Sequence, residues 1–219
     1  MSVVFRVLAA LIMALTGAIA PVPATASAAL GPAVFFTPHQ DDETLFMGAA
    51  IIQHVRAGRK VYVVLLTNGG ASAVSSLYPS RAVFVAERDR EFVAAVTHMG
   101  AIPVIPSGRA MDGTLTAAYA NWIMSGYYYA YPGVSLKTTS EYDVHPDHAA
   151  AGRGLRQVGY ADSRWYSKPE EWATTPKAIA PTGYENVQQS FLDYTPVGWL
   201  SAGAYFRAGF IASQNGCYR

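Results

Sequence analysis

Five histidines occur in this 219-residue chain, and three of them lie in two short acidic segments. The first segment is His39-Gln40-Asp41-Asp42-Glu43 and the second is His145-Pro146-Asp147-His148. In the first, one imidazole and three carboxylates crowd into five residues. Like charges held that close cost free energy unless a cation or bound protons offset them. Imidazole and carboxylate are donors that suit zinc. His39 and Asp42 are three apart, so one turn of loop or helix aims both at one point. A plainer reading is that Asp41, Asp42 and Glu43 only favour the N-terminus of a following helix through its dipole. The second segment decides between them, because the two together supply the three protein ligands and open position typical of catalytic zinc. His54 and His98 fall in helical stretches and read as surface or packed residues.

The elements that must position these segments follow from the hydrophobic pattern. Residues 33–36 are an apolar strand, a helix is expected over 45–56 with Gly58 as its C-cap, and residues 60–67 form a near-continuous apolar strand. Strand, helix and strand in this span make a βαβ unit with parallel pairing. In such sheets ligands gather beyond the carboxyl ends of strands, where His39 to Glu43 falls. Residues 71–80 read as a loop, and residues 81–99 as a helix ended by Gly100. A short strand over 101–105 follows, irregular or terminal in the sheet because of Pro103. A turn at 111–115, a helix over 116–128, a strand over 133–139 and a helix over 149–158 come next. Beyond it, 163–166 suggests a strand, and 185–192 and 199–206 suggest short helices. The run Tyr127-Tyr128-Tyr129 with Tyr131 lines a sugar subsite or, as is commoner at a helix end, packs.

Hydrophobic residues make up 51% of the chain and charged residues 14%, which excludes a disordered polymer. Residues 1–28 read as a secretory signal: Arg6 supplies the positive start, 7–20 the apolar core, and Ala26-Ser27-Ala28 the small-residue cleavage site. Pro21 and Pro23 end the apolar run short of a membrane-spanning length, so no stable membrane insertion is expected after cleavage. Residues 29–219 then form one domain with balanced charge, which offers no footprint for nucleic acid. Cys217 is the sole cysteine, so no intrachain disulfide forms and a packed core must hold the fold.

The two acidic motifs, with the Thr67-Asn68-Gly69 turn, Arg88 and Glu91 before Met99-Gly100, and Asp112-Gly113 before Leu115, resemble the PIG-L/LmbE-like family of zinc-dependent N-deacetylases. The resemblance spans about residues 33 to 158. It implies an α/β fold, a Rossmann-like three-layer sandwich with a mainly parallel sheet, in agreement with the βαβ reading. It also implies that His39, Asp42 and His148 hold Zn2+ or another divalent metal. Asp41 would then be the general base toward the attacking water. His145 would stabilise the tetrahedral intermediate or protonate the leaving amine, Asp147 would orient a neighbouring histidine, and Arg88 and Asp112 would bind sugar hydroxyls. Glu43 reads as a supporting or helix-capping residue. Gln40 stands where the family's first motif usually has Pro, which leaves ligand spacing unchanged, lowers loop rigidity and would let the Gln amide reach into the site.

The resulting expectation is a secreted, extracellular N-deacetylase acting on an N-acetylglucosamine-type sugar or glycoconjugate. Two alternatives are another zinc amidohydrolase of an N-acylated substrate and a non-catalytic carbohydrate-binding protein with structural zinc. The second predicts a closed ligand shell or loss of the base, whereas Asp41 and His145 are both present.

Overall fold

The first strand, β1 (Ala33–Thr37), is buried at all five positions, and its alternate side chains enter two different cores. Ala33 and Phe35 pack with Met47, Ile51 and Phe92 on one face of the sheet, and Val34 and Phe36 with Met124, Leu136 and Leu155. A strand covered on both faces favours apolar residues at successive positions, which explains the absence of alternation in Ala33 to Phe36. This is a computed structural model; it describes residues 30–159, 164–166 and 217–218.

The described strands form one six-stranded sheet in the order β3-β2-β1-β4-β5-β6, with β2 at Val61–Leu65, β3 at Ile102–Val104, β4 at Ser135–Thr139, β5 at Arg164–Tyr166 and β6 at Cys217–Tyr218. Strands β1 to β5 pair in parallel and β6 runs antiparallel to β5. The architecture is the expected mainly parallel α/β sandwich. Pro103 lies in β3 at the sheet edge, where its lack of an N–H costs no central ladder bond. Strand β6 was not anticipated. The helices expected over 185–192 and 199–206 and the signal segment 1–28 lie outside the described residues.

From β1 the chain moves outward to β2 and β3, then returns to lay β4 against the opposite side of β1. The strand order therefore reverses between β1 and β4, and in open α/β sheets the crevice beyond that reversal is where ligands bind. The loops leaving these two strands carry the two acidic motifs.

The helices are α1 (Asp42–Leu45), α2 (Gly48–Arg56), α3 (Arg81–His98), α4 (Ala117–Ala130) and α5 (Pro146–Val158). Ser80 and Thr116 cap α3 and α4 by accepting the amide protons of Val83 and Tyr119. Three expectations need correction. The single helix over 45–56 is two pieces, broken between Leu45 and Gly48. A short 3-10 turn at Ala73–Leu77 interrupts the loop over 71–80. Helix α5 starts three residues earlier than expected, because Pro146 sits in its first turn, where no N–H is needed, and His145 is its cap. Among the described residues no helix is long and apolar enough to cross a membrane.

Candidate metal centre

Strand β1 ends at Thr37, and the chain turns at once into a buried loop. Thr67 Oγ1, at the end of β2, donates to Pro38 O at 2.7 Å, and Thr37 Oγ1 donates to His39 O at 2.8 Å. These bonds fix the peptide that carries His39. The His39 amide donates to Asp42 Oδ2 at 2.9 Å, curling the loop so that both side chains face the same point. Asp41 lies between them at φ 105°, a region that non-glycine residues enter only where surrounding bonds enforce it. Those bonds are present: Arg88 Nη2 reaches Asp41 Oδ2 at 3.2 Å and also donates to the Gln40 carbonyl, while Arg88 Nη1 donates to Gly69 O at 2.7 Å. The Asp41 amide donates to Glu43 Oε2 at 3.0 Å.

The second motif arrives on α5, next to β1. His148 lies one turn into the helix, and Thr139 at the end of β4 donates to its carbonyl at 3.0 Å. His39 Nδ1, Asp42 Oδ2 and His148 Nε2 then form a triangle with edges of 3.0, 3.0 and 3.3 Å. A tetrahedral zinc with Zn–N of ~2.0–2.1 Å holds its donors ~3.3 Å apart, so this triangle has the size such an ion requires. It lies in a cavity of about 570 Å³ lined by His39, Asp41, Asp42, Arg88, Asp112, His145 and His148 among others.

Each imidazole of the triangle is held from behind by a carboxylate. His39 Nε2 faces Asp147 Oδ2 at 3.0 Å and Asp112 Oδ1 at 3.2 Å; His148 Nδ1 faces Asp143 Oδ2 at 3.2 Å. Carboxylates on the outer nitrogen fix tautomer and ring plane and make the inner nitrogen a better donor. Asp147 is itself fixed by the amides of Gly113 at 2.7 Å and Leu115 at 3.0 Å. It therefore stands where a residue that orients a histidine should stand. Asp143 was not anticipated, although an acid two residues ahead of His145 is the signal that would have found it.

Charge in this cage is unbalanced toward the negative. Burial alone would lower the pKa of His39, yet hydrogen bonds to Asp112, Asp147 and Asp42 raise it well above its ordinary value. The same contest, with the Asp42 carboxylate and Asp143 as partners, pushes His148 up to about 9. Burial would raise Asp42, but the charge of His148 and bonds from both imidazoles hold it well below the usual carboxylate range. Burial would likewise raise Asp112, which bonds from His39 bring down to about 2. A cluster that recruits protons in this way is one a divalent cation satisfies.

The remaining candidates stand around the triangle. Burial pushes Asp41 up to about 6 against the opposing pull of Arg88. Burial and the neighbouring Asp41 push Glu43 up to about 8; it is fully buried and accepts from the Thr44 hydroxyl and the Asp41 amide. The His145 ring lies 4.7 Å from that of His39 and 4.8 Å from that of His148, centroid to centroid. Its Nδ1 accepts the Asp147 amide at 3.3 Å, which places its proton on Nε2. Its pKa is lowered by burial and by the two other imidazoles. Arg88 and Asp112 both line the cavity; Arg88 bonds to the two loops and Asp41, and Asp112 to His39 and the Ala71 amide at 2.8 Å.

Of the tyrosine run, Tyr129 is exposed, and Tyr127 and Tyr131 line a second cavity of about 410 Å³, apart from the acidic one. Tyr127 meets Phe36 edge-on with centroids 5.4 Å apart and lies against Tyr62 and Tyr131, near the start of β4 and away from the acidic cavity. His54 packs on Phe35 at 5.7 Å, and neither it nor His98 lines the cavity.

A family model described as GlcNAc-PI de-N-acetylase, PIG-L, matches residues 34–158. The chain belongs to the PIG-L family. A comparison with curated proteins finds no match. Among solved structures, N,N'-diacetylchitobiose deacetylase from Pyrococcus horikoshii is 14% identical with a TM-score of 0.64, covering 86% of this chain and 83% of that one. The A40926 pseudoaglycone deacetylase Dbv21 is 23% identical with a TM-score of 0.51 over 63% of this chain and 64% of its own. The 4-carboxy-2-hydroxymuconate hydratase GalB of Pseudomonas putida is 18% identical with a TM-score of 0.56, covering 86% and 95%. These likenesses establish the fold that this PIG-L chain shares; because a hydratase stands among them, the chemistry must be argued from the site.

Proposed function

We propose that this chain is a secreted, zinc-dependent N-deacetylase that hydrolyses the acetamide of an N-acetylglucosamine-type sugar or glycoconjugate, releasing acetate and a free amine. The observation that carries the reading is the triangle of His39 Nδ1, Asp42 Oδ2 and His148 Nε2 in a cavity that Asp41 and His145 also line. Membership of the PIG-L family and the deacetylases among its structural neighbours support the choice of bond. The apolar segment at 7–20 and the small residues at 26–28 support export.

His39, Asp42 and His148 are the residues that would hold the ion. Bound there, a divalent metal supplies polarisation of the amide carbonyl and a more acidic water. The chain's own residues do the rest. Asp41, raised toward neutrality and held in one orientation by Arg88, accepts the proton of the attacking water. His145, with its proton on Nε2, donates to the charge that develops on the carbonyl oxygen or to the departing nitrogen. Asp147, Asp112 and Asp143 keep both ligand imidazoles in place.

The test is a panel of N-acetylated mono- and oligosaccharides assayed for free amine, with chelated and zinc-reconstituted protein side by side. Amine released only after reconstitution supports the reading. Sugar binding without amine release by the loaded protein contradicts it and favours a binding role.

A further inference from the structure

Gln40 separates His39 from Asp41, yet it lines no part of the cavity and is only 1% exposed. Its side-chain nitrogen donates to Asp89 Oδ1 on α3 at 2.8 Å and to Asn68 O at 3.2 Å. Both neighbours are acceptors, which fixes that end of the carboxamide as the NH2. Asp89 is in turn gripped by both arms of the Arg109 guanidinium, Nη1 to Oδ1 at 2.8 Å and Nη2 to Oδ2 at 2.6 Å. Arg109 precedes Ala110, whose backbone pairs with Leu66 and Asn68, and lies on the segment that bears Asp112. One side chain thus joins the loops after β1, β2 and β3 to α3.

Two further observations set this residue apart. Gln40 Oε1 is buried with no hydrogen-bond partner among the described residues, which costs stability. It also abuts Gly69, where a Cβ would overlap it. The Gln40 carbonyl is held by Arg88, and the next residue, Asp41, adopts the strained φ of 105°. A strained residue persists only when its surroundings over-determine it, and Gln40 is pinned at both its carbonyl and its carboxamide.

We propose that Gln40 is a positioning residue: through Asp89 and Arg109 it clamps the ligand loop and so presets His39 and Asp42 for the cation. A proline at this position would preset the loop through its fixed φ; here a buried hydrogen-bond clamp performs that task. The proposal rests on the reading of His39, Asp42 and His148 as metal ligands.

The test uses the full chain and zinc affinity measured by competition with a chelator. Gln40→Ala weakens zinc binding about tenfold, the lower end of what loss of a residue supporting metal ligands costs. Gln40→Pro restores it. Replacing Asp89 and Arg109 together by Ala, which leaves neither charge alone, weakens binding in the Gln40 chain and leaves the Gln40→Pro chain unchanged. Unaltered affinity in Gln40→Ala, or an equal loss from the double replacement in both backgrounds, overturns the clamp. Hydrogen exchange of the ion-free protein provides a second readout: amides of residues 39–44 exchange faster in Gln40→Ala and recover their protection in Gln40→Pro. Exchange unchanged by Gln40→Ala overturns the clamp as well. Should the parent chain take up no zinc, the proposed function fails, and the exchange result alone then decides the clamp.

Discussion

The two halves of the site are built in opposite ways. The half after β4 is regular: His145 caps α5, Pro146 fills the first turn, and the helix aims His148 inward. The half after β1 is irregular: His39, Gln40, Asp41, Asp42 and Glu43 are all buried, Asp41 is strained, and bonds donated by Arg88 and Thr67 and accepted by Asp89 hold the backbone and side chains in place. A helix places one ligand cheaply through its own periodicity. Placing an imidazole, a base and a carboxylate within four residues requires support from the rest of the sheet. If that contrast is right, substitutions in the first half disturb chemistry or metal, while substitutions in the helical backbone of the second, away from His148 and the carboxylate behind it, cost only a little stability.

The largest effect falls on the triangle itself. His148→Ala, or Asp42→Ala, loses the ion and reduces amine release to background, measured by metal content and assay on the same sample. Next comes Asp41→Asn, which keeps the ion and the fold but lowers kcat by about 10²–10⁴-fold, the usual contribution of a positioned acid or base. Retained turnover removes Asp41 from the base role and leaves the strained loop without a function.

Asp143→Ala tests whether the regular half also depends on support from behind. It removes the carboxylate at 3.2 Å from His148 Nδ1, and the zinc Kd rises about 10–100-fold. Competition titration reads this directly, and an unchanged Kd would confine outer-nitrogen support to His39.

These same two halves explain what the amino-acid sequence revealed. Strands β1 and β2 were legible because strands covered on both faces run largely apolar, and the acidic motifs because so many ligand-type side chains seldom meet in five residues. The helix expected over 149–158 begins at Pro146, since Pro in the first turn is a helix start. The break between α1 and α2 at Phe46 and Met47 carries no Pro to announce it. The clamp at Gln40 was illegible for a simple reason: its partners are 49 and 28 residues away, and only the folded sheet brings them together.

Smaller effects probe the frames. Gly69→Ala places a methyl group against Gln40 and Arg88 at a backbone φ of +60°, and costs about 1–3 kcal/mol in urea unfolding. A cost within ~0.5 kcal/mol would show that the irregular half can yield. Pro146→Ala should cost only about 0.4–1 kcal/mol, because it restores backbone freedom to the unfolded chain without removing a contact from the site. A loss of bound metal in Pro146→Ala would erase the distinction between the two halves.

The most direct measurement is zinc-edge X-ray absorption on the reconstituted chain, with metal counted per molecule. The account predicts one ion per chain with a shell of nitrogen and oxygen at ~2.0–2.1 Å and the outer scattering of two imidazoles. A substoichiometric ion, or a sulfur at ~2.3 Å contributed by Cys217, would contradict it.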